Sequence, residues 1–378
     1  MATLTPLGSR RCGGLAVDPS RVVVTQGCQN ALYAAMASLL EEGDEVLVPN
    51  PHYVTYPTTI ATTGGTCVSV ATSADDGFRI TAAALRRRLT PRTRAVLITT
   101  PCNPTGVCPT HDELRAIVEL CNEHSLALIS DEVYAGTEFD AVEHVNPASV
   151  PGGERCTISV GSCSKMLSMT GWRVGWVTSP SAALCEGIVA LNESMHFGLC
   201  PFVQYGAADA IANLNAEAEQ RLARNAARNA ARSDGGRNNA EFDDAVLDEP
   251  DPLAALYQAR RDALLSGIEG SAGDDAAAAA ARGVAGFRGA TVERPGLVCR
   301  APEGGIFCMV DVRRSGASDH AFAERLLERH AISVLPATAF GAAAAGHVRV
   351  GLLASEEEMH RVGGCVVDVA ASFAAEGR

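Results

Sequence analysis

The sequence is nearly without lysine. Of its 31 lysine and arginine side chains, one is a lysine, Lys165. Arginine supplies plain positive charge everywhere else. A lone lysine is therefore a candidate for what arginine cannot do. The guanidinium keeps its proton, whereas an amine can lose it and attack a carbonyl. Composition alone leaves chance survival on a solvated surface equally open.

Positive charge is scarce overall. Acidic residues number 44, so the formal net charge is −13. Nucleic-acid surfaces cluster Lys and Arg, which argues against such a partner. No apolar run approaches the roughly 18 residues that span a bilayer, and no membrane association is expected. Met1–Gly14 lacks the apolar stretch of a secretory signal. The 13 cysteines contain no Cys-x-x-Cys pair. Their odd number and scatter suggest a reducing compartment, the cytoplasm, with an organellar site left open. No zinc-type ligand spacing is present, so no metal is expected.

What is present is an alternation. Arg21–Thr25, Glu45–Val48, Thr66–Val70, Ala95–Thr99, Leu126–Ser130, Thr157–Val160 and Arg173–Val177 read as strands. Helical patterns lie between them, such as Gln29–Leu40, Thr81–Leu89 and His111–His124. The pattern predicts an α/β fold, a largely parallel sheet with helices on both faces. The 378 residues divide into a short segment 1–20, a large domain 21–211, a low-complexity stretch 212–252 and a smaller C-terminal α/β domain 253–378. In the third, Arg221, Arg224, Arg228 and Arg232 share one helix face, read as a solvated helix with a basic binding patch as the alternative. An acidic run ending at Asp251 can neutralise it. The C-terminal part carries an Ala-rich insertion near 270–290. It also contains predicted strands at Gly305–Val310, Ile332–Leu335 and His347–Gly351 and a helix at Ala321–His330.

Polar residues collect at the carboxyl ends of the strands, where open α/β sheets bind ligands. Gly27, Cys28 and Gln29 follow the first strand. Asn103 follows Ala95–Thr99, Asp131 and Tyr134 follow Leu126–Ser130, and Ser162 and Lys165 follow Thr157–Val160. A helix start at Gln29 suits a phosphate. Ser162 and Arg173 add a hydroxyl and a guanidinium. With a lysine to bind an aldehyde and Asp131 to hold a ring nitrogen protonated, these are the parts that pyridoxal phosphate requires. Asn103 and Tyr134 can bond the ring hydroxyl, and Tyr53 can stack on the ring.

The motifs Gly27-Cys28-Gln29-Asn30-Ala31-Leu32, Asn103-Pro104-Thr105-Gly106, Ser130-Asp131-Glu132-Val133-Tyr134 and Ser162-Cys163-Ser164-Lys165, leading to Thr170-Gly171-Trp172-Arg173-Val174-Gly175, carry a resemblance. The chain resembles the class I/II aminotransferases, fold type I pyridoxal-phosphate enzymes, with its nearest look to the arginine–pyruvate and aspartate-type branches. The resemblance implies that Lys165 forms the Schiff base, that Arg173 binds the cofactor phosphate and that Arg349, in His347-Val348-Arg349-Val350-Gly351, binds the substrate α-carboxylate. It also implies amino-acid and 2-oxo-acid substrates, ping-pong transfer and a homodimer. The family usually carries a longer segment before the position of Arg21, so a poorly closing, truncated enzyme is expected. A carbon–sulfur β-lyase of the same fold type, or a non-catalytic relative, remains open on these motifs.

Overall fold

The computed structural model describes residues 17–234, 251–270, 287 and 289–376, with residues 222 and 226–234 described as backbone only. β1 (Val22–Thr25), α1 (Gly27–Leu39), β2 (Glu45–Asn50), α2 (Tyr56–Thr62), β3 (Thr66–Ala71), α3 (Ala82–Arg86), β4 (Thr93–Thr99), α4 (His111–Glu123) and β5 (Ala127–Asp131) follow in order. A long loop leads to β6 (Thr157–Ser162), the single turn α5 (Cys163–Met166), β7 (Gly175–Thr178), α6 (Ala182–His196) and α7 (Pro201–Asp234). In α4 the local sequence explains the element. Thr110 and Glu113 form a capping box at its start, and Leu114, Ile117, Val118 and Cys121 make its buried face at helical spacing.

The strands form a seven-stranded sheet in the order β1-β7-β6-β5-β4-β2-β3. Pairings among β2 to β6 are parallel. Side chains alternate between two cores. Val46, Val48, Ala95 and Leu97 pack with Leu32, Met36, Leu184 and Ile188 of α1 and α6. Leu47, Val96, Ile98 and Leu128 pack with Leu85, Leu114 and Ile117 of α3 and α4. Burial on both faces is why these strands read as nearly unbroken apolar runs. β7 is the antiparallel member, against both β1 and β6. Ser162 pairs directly with Gly175, so the chain doubles back beside β6 instead of crossing over.

The C-terminal part contains α8 (Pro252–Glu269), β8 (Thr291–Arg294), β9 (Leu297–Arg300), β10 (Phe307–Asp311), α9 (Asp319–His330), β11 (Leu335–Pro336), β12 (His347–Gly351) and α10 (Glu356–Glu376). Its sheet runs β11-β12-β10-β9-β8 and is antiparallel at every pairing. Leu264 and Ile268 of α8 and Val366 and Val369 of α10 cover it, packing with Leu297, Cys308, Val310 and Val348. Phe139, from the loop after β5, enters this second core.

Several elements differ from the sequence reading. The strand expected at Ile332–Leu335 is a two-residue pairing, because Pro336 has no N–H to donate and a 3-10 turn starts at Ala337. The compositional break at 212 falls inside α7, which runs through it. On that helix Arg221 lies 3.4 Å from Asp251, the one described member of the acidic run. The Ala-rich stretch lies outside the described residues except at its margins, and so does most of segment 1–20. Helices α2, α5, α6, α8 and α10 and the β8–β9 hairpin have no counterpart in the sequence reading. Among the described residues no helix is long and apolar enough to cross a membrane, and no cluster could hold a metal ion.

Candidate active site

The carboxyl ends of β4, β5 and β6 and the start of α1 meet on one rim. Asp131, the last residue of β5, is 3% exposed. Its Oδ1 accepts from the Cys28 thiol at 3.3 Å and from the Val133 N–H at 3.2 Å, and its Oδ2 accepts from the Tyr56 hydroxyl at 2.6 Å. Burial nevertheless pushes its proton affinity up, the hydrogen bonds from Tyr56, Cys28 and Val133 opposing. A dehydrated carboxylate of this kind favours a cation beside it. Burial and the neighbouring Asp131 in turn push the Tyr56 hydroxyl and the Cys28 thiol well above their ordinary ranges, so both remain donors.

Helix α1 starts at Gly27 without a side-chain cap. Its first-turn N–H groups therefore face an anion-binding position. Gly27 has φ +79°, and a Cβ there would collide with the guanidinium of Arg173. Glycine serves both needs. Arg173, itself left-handed at φ +58°, donates to the Thr170 carbonyl at 2.9 Å and the Gln26 carbonyl at 3.3 Å. Two predicted phosphate ligands have other partners in the structure. The Gln29 amide bonds to Thr55 and Thr59, which leaves its backbone N–H for an anion. The Ser162 hydroxyl is fully buried, caps α5 through Ser164 N, and lies 2.8 Å from Ser164 Oγ and 2.9 Å from the Val174 carbonyl. It pins the turn that carries Lys165.

Lys165 is half-buried, and its amine has no hydrogen-bond or ion-pair partner among the described residues. Its proton affinity is lowered, first by burial and then by the charges of Arg173 and Arg349. Such an amine is readier to act as a nucleophile or base. Arg349, on β12, donates from Nη1 to Asn103 Oδ1 at 2.8 Å. Its guanidinium carbon is 3.7 Å from the Phe307 ring centroid and 4.6 Å from that of Phe340. Its buried Nε has no partner among the described residues, and it forms no ion pair with a described carboxylate. A dehydrated, unpaired guanidinium is primed for an anionic ligand.

Asn103 also reaches the Tyr134 hydroxyl, at 3.4 Å. Burial raises the Tyr134 phenol well above its ordinary range, so it too stays protonated. Tyr53 packs edge-on against Tyr56 with ring centroids 5.6 Å apart. The sequence reading missed Tyr56, Phe307 and Phe340. Tyr56 stands three residues after Tyr53, in the same proline-flanked segment, and that spacing is the one local signal. Phe307 and Phe340 read as ordinary core residues.

A family model described as aminotransferase class I and II matches residues 3–241 and 255–363. The arginine–pyruvate transaminase of Pseudomonas aeruginosa is 38% identical over 350 residues, covering 93% of this chain and 75% of that protein. The aspartate/prephenate aminotransferase of Thermus thermophilus is 30% identical over 353 residues, 93% of this chain and 76% of that one. The solved aromatic aminotransferase from Pyrococcus horikoshii superposes with a TM-score of 0.77 at 26% identity, covering 98% of this chain and 84% of that chain.

Proposed function

The chain belongs to the class I and II aminotransferases, which are pyridoxal-phosphate enzymes, and from that premise we propose that Lys165 holds the cofactor and moves the proton in transfer of an amino group from an L-amino acid to a 2-oxo acid. The residues present fit the group. Lys165 would take the aldehyde carbon, and Asp131 the ring nitrogen, whose positive charge suits a buried carboxylate. The uncapped start of α1 and Arg173 would take the phosphate, in a cradle that a Cβ at Gly27 would fill. Asn103 and Tyr134 would take the ring hydroxyl, and Tyr53 a ring face. When bound, pyridoxal phosphate supplies an electron sink for the pair left at the substrate α-carbon.

The protein's own groups do the rest. Arg349 grips the α-carboxylate, oriented by Asn103 and walled from water by Phe307 and Phe340. Lys165 Nζ, its proton affinity already lowered, takes the α-proton. One arginine serves the carboxylates of both substrates, so they take turns, which is ping-pong order. L-Arginine with pyruvate is the first pair to assay, given the Pseudomonas relative. Exposed Met195, Phe197, Phe202 and Tyr205 favour a homodimer through the α6–α7 corner. The odd number and scatter of the cysteines support a reducing compartment such as the cytoplasm.

The observation that carries this reading is the sole lysine, lying unpartnered in the field of two arginines. Borohydride reduction of the protein with pyridoxal phosphate, followed by peptide mass mapping, should place one adduct on Lys165. An adduct confined to the chain's α-amino group, or none, overturns it.

A further inference from the structure

Directly behind Asp131 lies an ion cluster that the site described above does not use. The loop from Asp131 to Asn146 brings His144 back between two glutamates. His144 Nε2 is 3.1 Å from Glu132 Oε2, and Nδ1 is 3.1 Å from Glu138 Oε1. Side-chain exposures are 6% for His144, 5% for Glu132 and 8% for Glu138, so water does not screen them. Glu132 Oε2 also accepts from Asn146 Nδ2 at 2.8 Å, while Glu132 Oε1 and His144 Nδ1 are buried without a hydrogen-bond partner, so the approach of Nδ1 to Glu138 is a charge contact and not an aligned hydrogen bond. Glu138 accepts the Gly136 N–H through both oxygens.

Two buried carboxylates this close to one imidazole favour its doubly protonated form. Burial opposes this, but the two glutamates win and push the His144 proton affinity up to about 10. The charge matters because Glu132 is bonded in sequence to Asp131, and its negative charge raises the proton affinity of Asp131. The same loop carries Tyr134. It is fastened to the second sheet through Phe139 N to the Glu303 carbonyl at 2.8 Å and Gly305 N to the Thr137 carbonyl at 3.1 Å.

We propose that Glu132, His144 and Glu138 form a buried positioning triad for transamination, in which the imidazolium offsets Glu132 so that Asp131 stays ionised and the loop bearing Tyr134 stays seated. The proposal rests on the reading that Asp131 faces the ring nitrogen. The triad touches neither cofactor nor substrate. It acts through Asp131 and Tyr134.

Its charge gives the test a sign. As it stands the triad sums to −1. His144→Gln makes it −2, and Glu132→Gln makes it 0. The pH midpoint of the bound cofactor's visible absorbance should therefore rise in His144→Gln and fall in Glu132→Gln, each by about half a unit or more. A merely structural role would not move the two in opposite directions. His144→Gln should also slow conversion of the bound cofactor by L-arginine about tenfold with little change in KM. The double variant, with net charge restored to −1, should recover most of that loss. In the wild-type holoenzyme, nitrogen NMR of His144 should show both ring nitrogens protonated from pH 6 to 9, a readout that survives if a variant does not fold. A neutral His144 at pH 7, midpoints that shift the same way or not at all, or a double variant no faster than His144→Gln would each overturn the triad. Asp131→Asn separates the two readings. If that variant turns over normally, the assignment of Asp131 has failed and the triad falls with it. If it is impaired while His144→Gln is not, the triad alone is wrong.

Discussion

Arg349 Nη1 donates a 2.8 Å hydrogen bond to Oδ1 of Asn103, 246 residues away in sequence. The bond joins β12 of the antiparallel sheet to the loop after β4 of the seven-stranded one. Asn103 then reaches the Tyr134 hydroxyl at 3.4 Å. One amide therefore sets the angle of the guanidinium and contacts a group assigned to the cofactor. Movement of the second sheet would be felt at both.

Arg349→Lys should raise the KM for the amino-acid donor about tenfold to a hundredfold, since a point charge replaces a planar fork worth roughly 1.5–3 kcal/mol per charged hydrogen bond. The fall in kcat should be smaller. Steady-state kinetics with L-arginine and pyruvate decide it, and an unchanged KM would show that another arginine holds the carboxylate.

Asp131→Asn should still bind pyridoxal phosphate but lose transamination by orders of magnitude, because a neutral amide cannot hold the ring nitrogen protonated. Tyr56→Phe is the finer probe. The Tyr56 hydrogen bond lowers the proton affinity of Asp131. Without it Asp131 takes up a proton at higher pH, so the acidic limb of the kcat profile should move upward. An unmoved limb would mean that the 2.6 Å contact has no bearing on the carboxylate.

Stability should depend on Arg261. Its side chain is fully buried, pairs with both oxygens of Asp140, and lies 3.2 Å from the Pro302 carbonyl. Arg261→Met would strand the Asp140 carboxylate in a dry interior, at a cost of about 3–5 kcal/mol. Adding Asp140→Asn, which removes the charge and suits the left-handed backbone at φ +54°, should return part of the loss. Urea midpoints of the wild type and the two variants test this, and a single variant as stable as wild type refutes it.

The α6–α7 corner should be the self-association surface. Phe197 is 95% exposed, Phe202 74% and Tyr205 75%. Phe197→Glu combined with Phe202→Glu should shift the holoenzyme from dimer to monomer in light scattering. A wild-type chain that is monomeric at micromolar concentration, or a variant that stays dimeric, counts against this surface.

The parts with local signals were legible in the chain alone. Strand runs buried on both faces, the helical spacing of Leu114, Ile117, Val118 and Cys121, and the one lysine after a strand were all readable, because each depends on neighbours within a few turns of chain. Strand polarity therefore implied the rim on which Asp131, Asn103 and Lys165 stand. Tertiary structure alone decided which distant groups meet. Nothing local marks Phe307 and Phe340 as walls of an arginine, or Tyr56 as a donor to Asp131, since each contact joins elements that are neighbours only within the folded sheet to which they belong. The same holds for His144. In sequence it is one histidine in a loop; in the fold two glutamates stand 3.1 Å from its ring nitrogens and favour its charged form against the cost of burial.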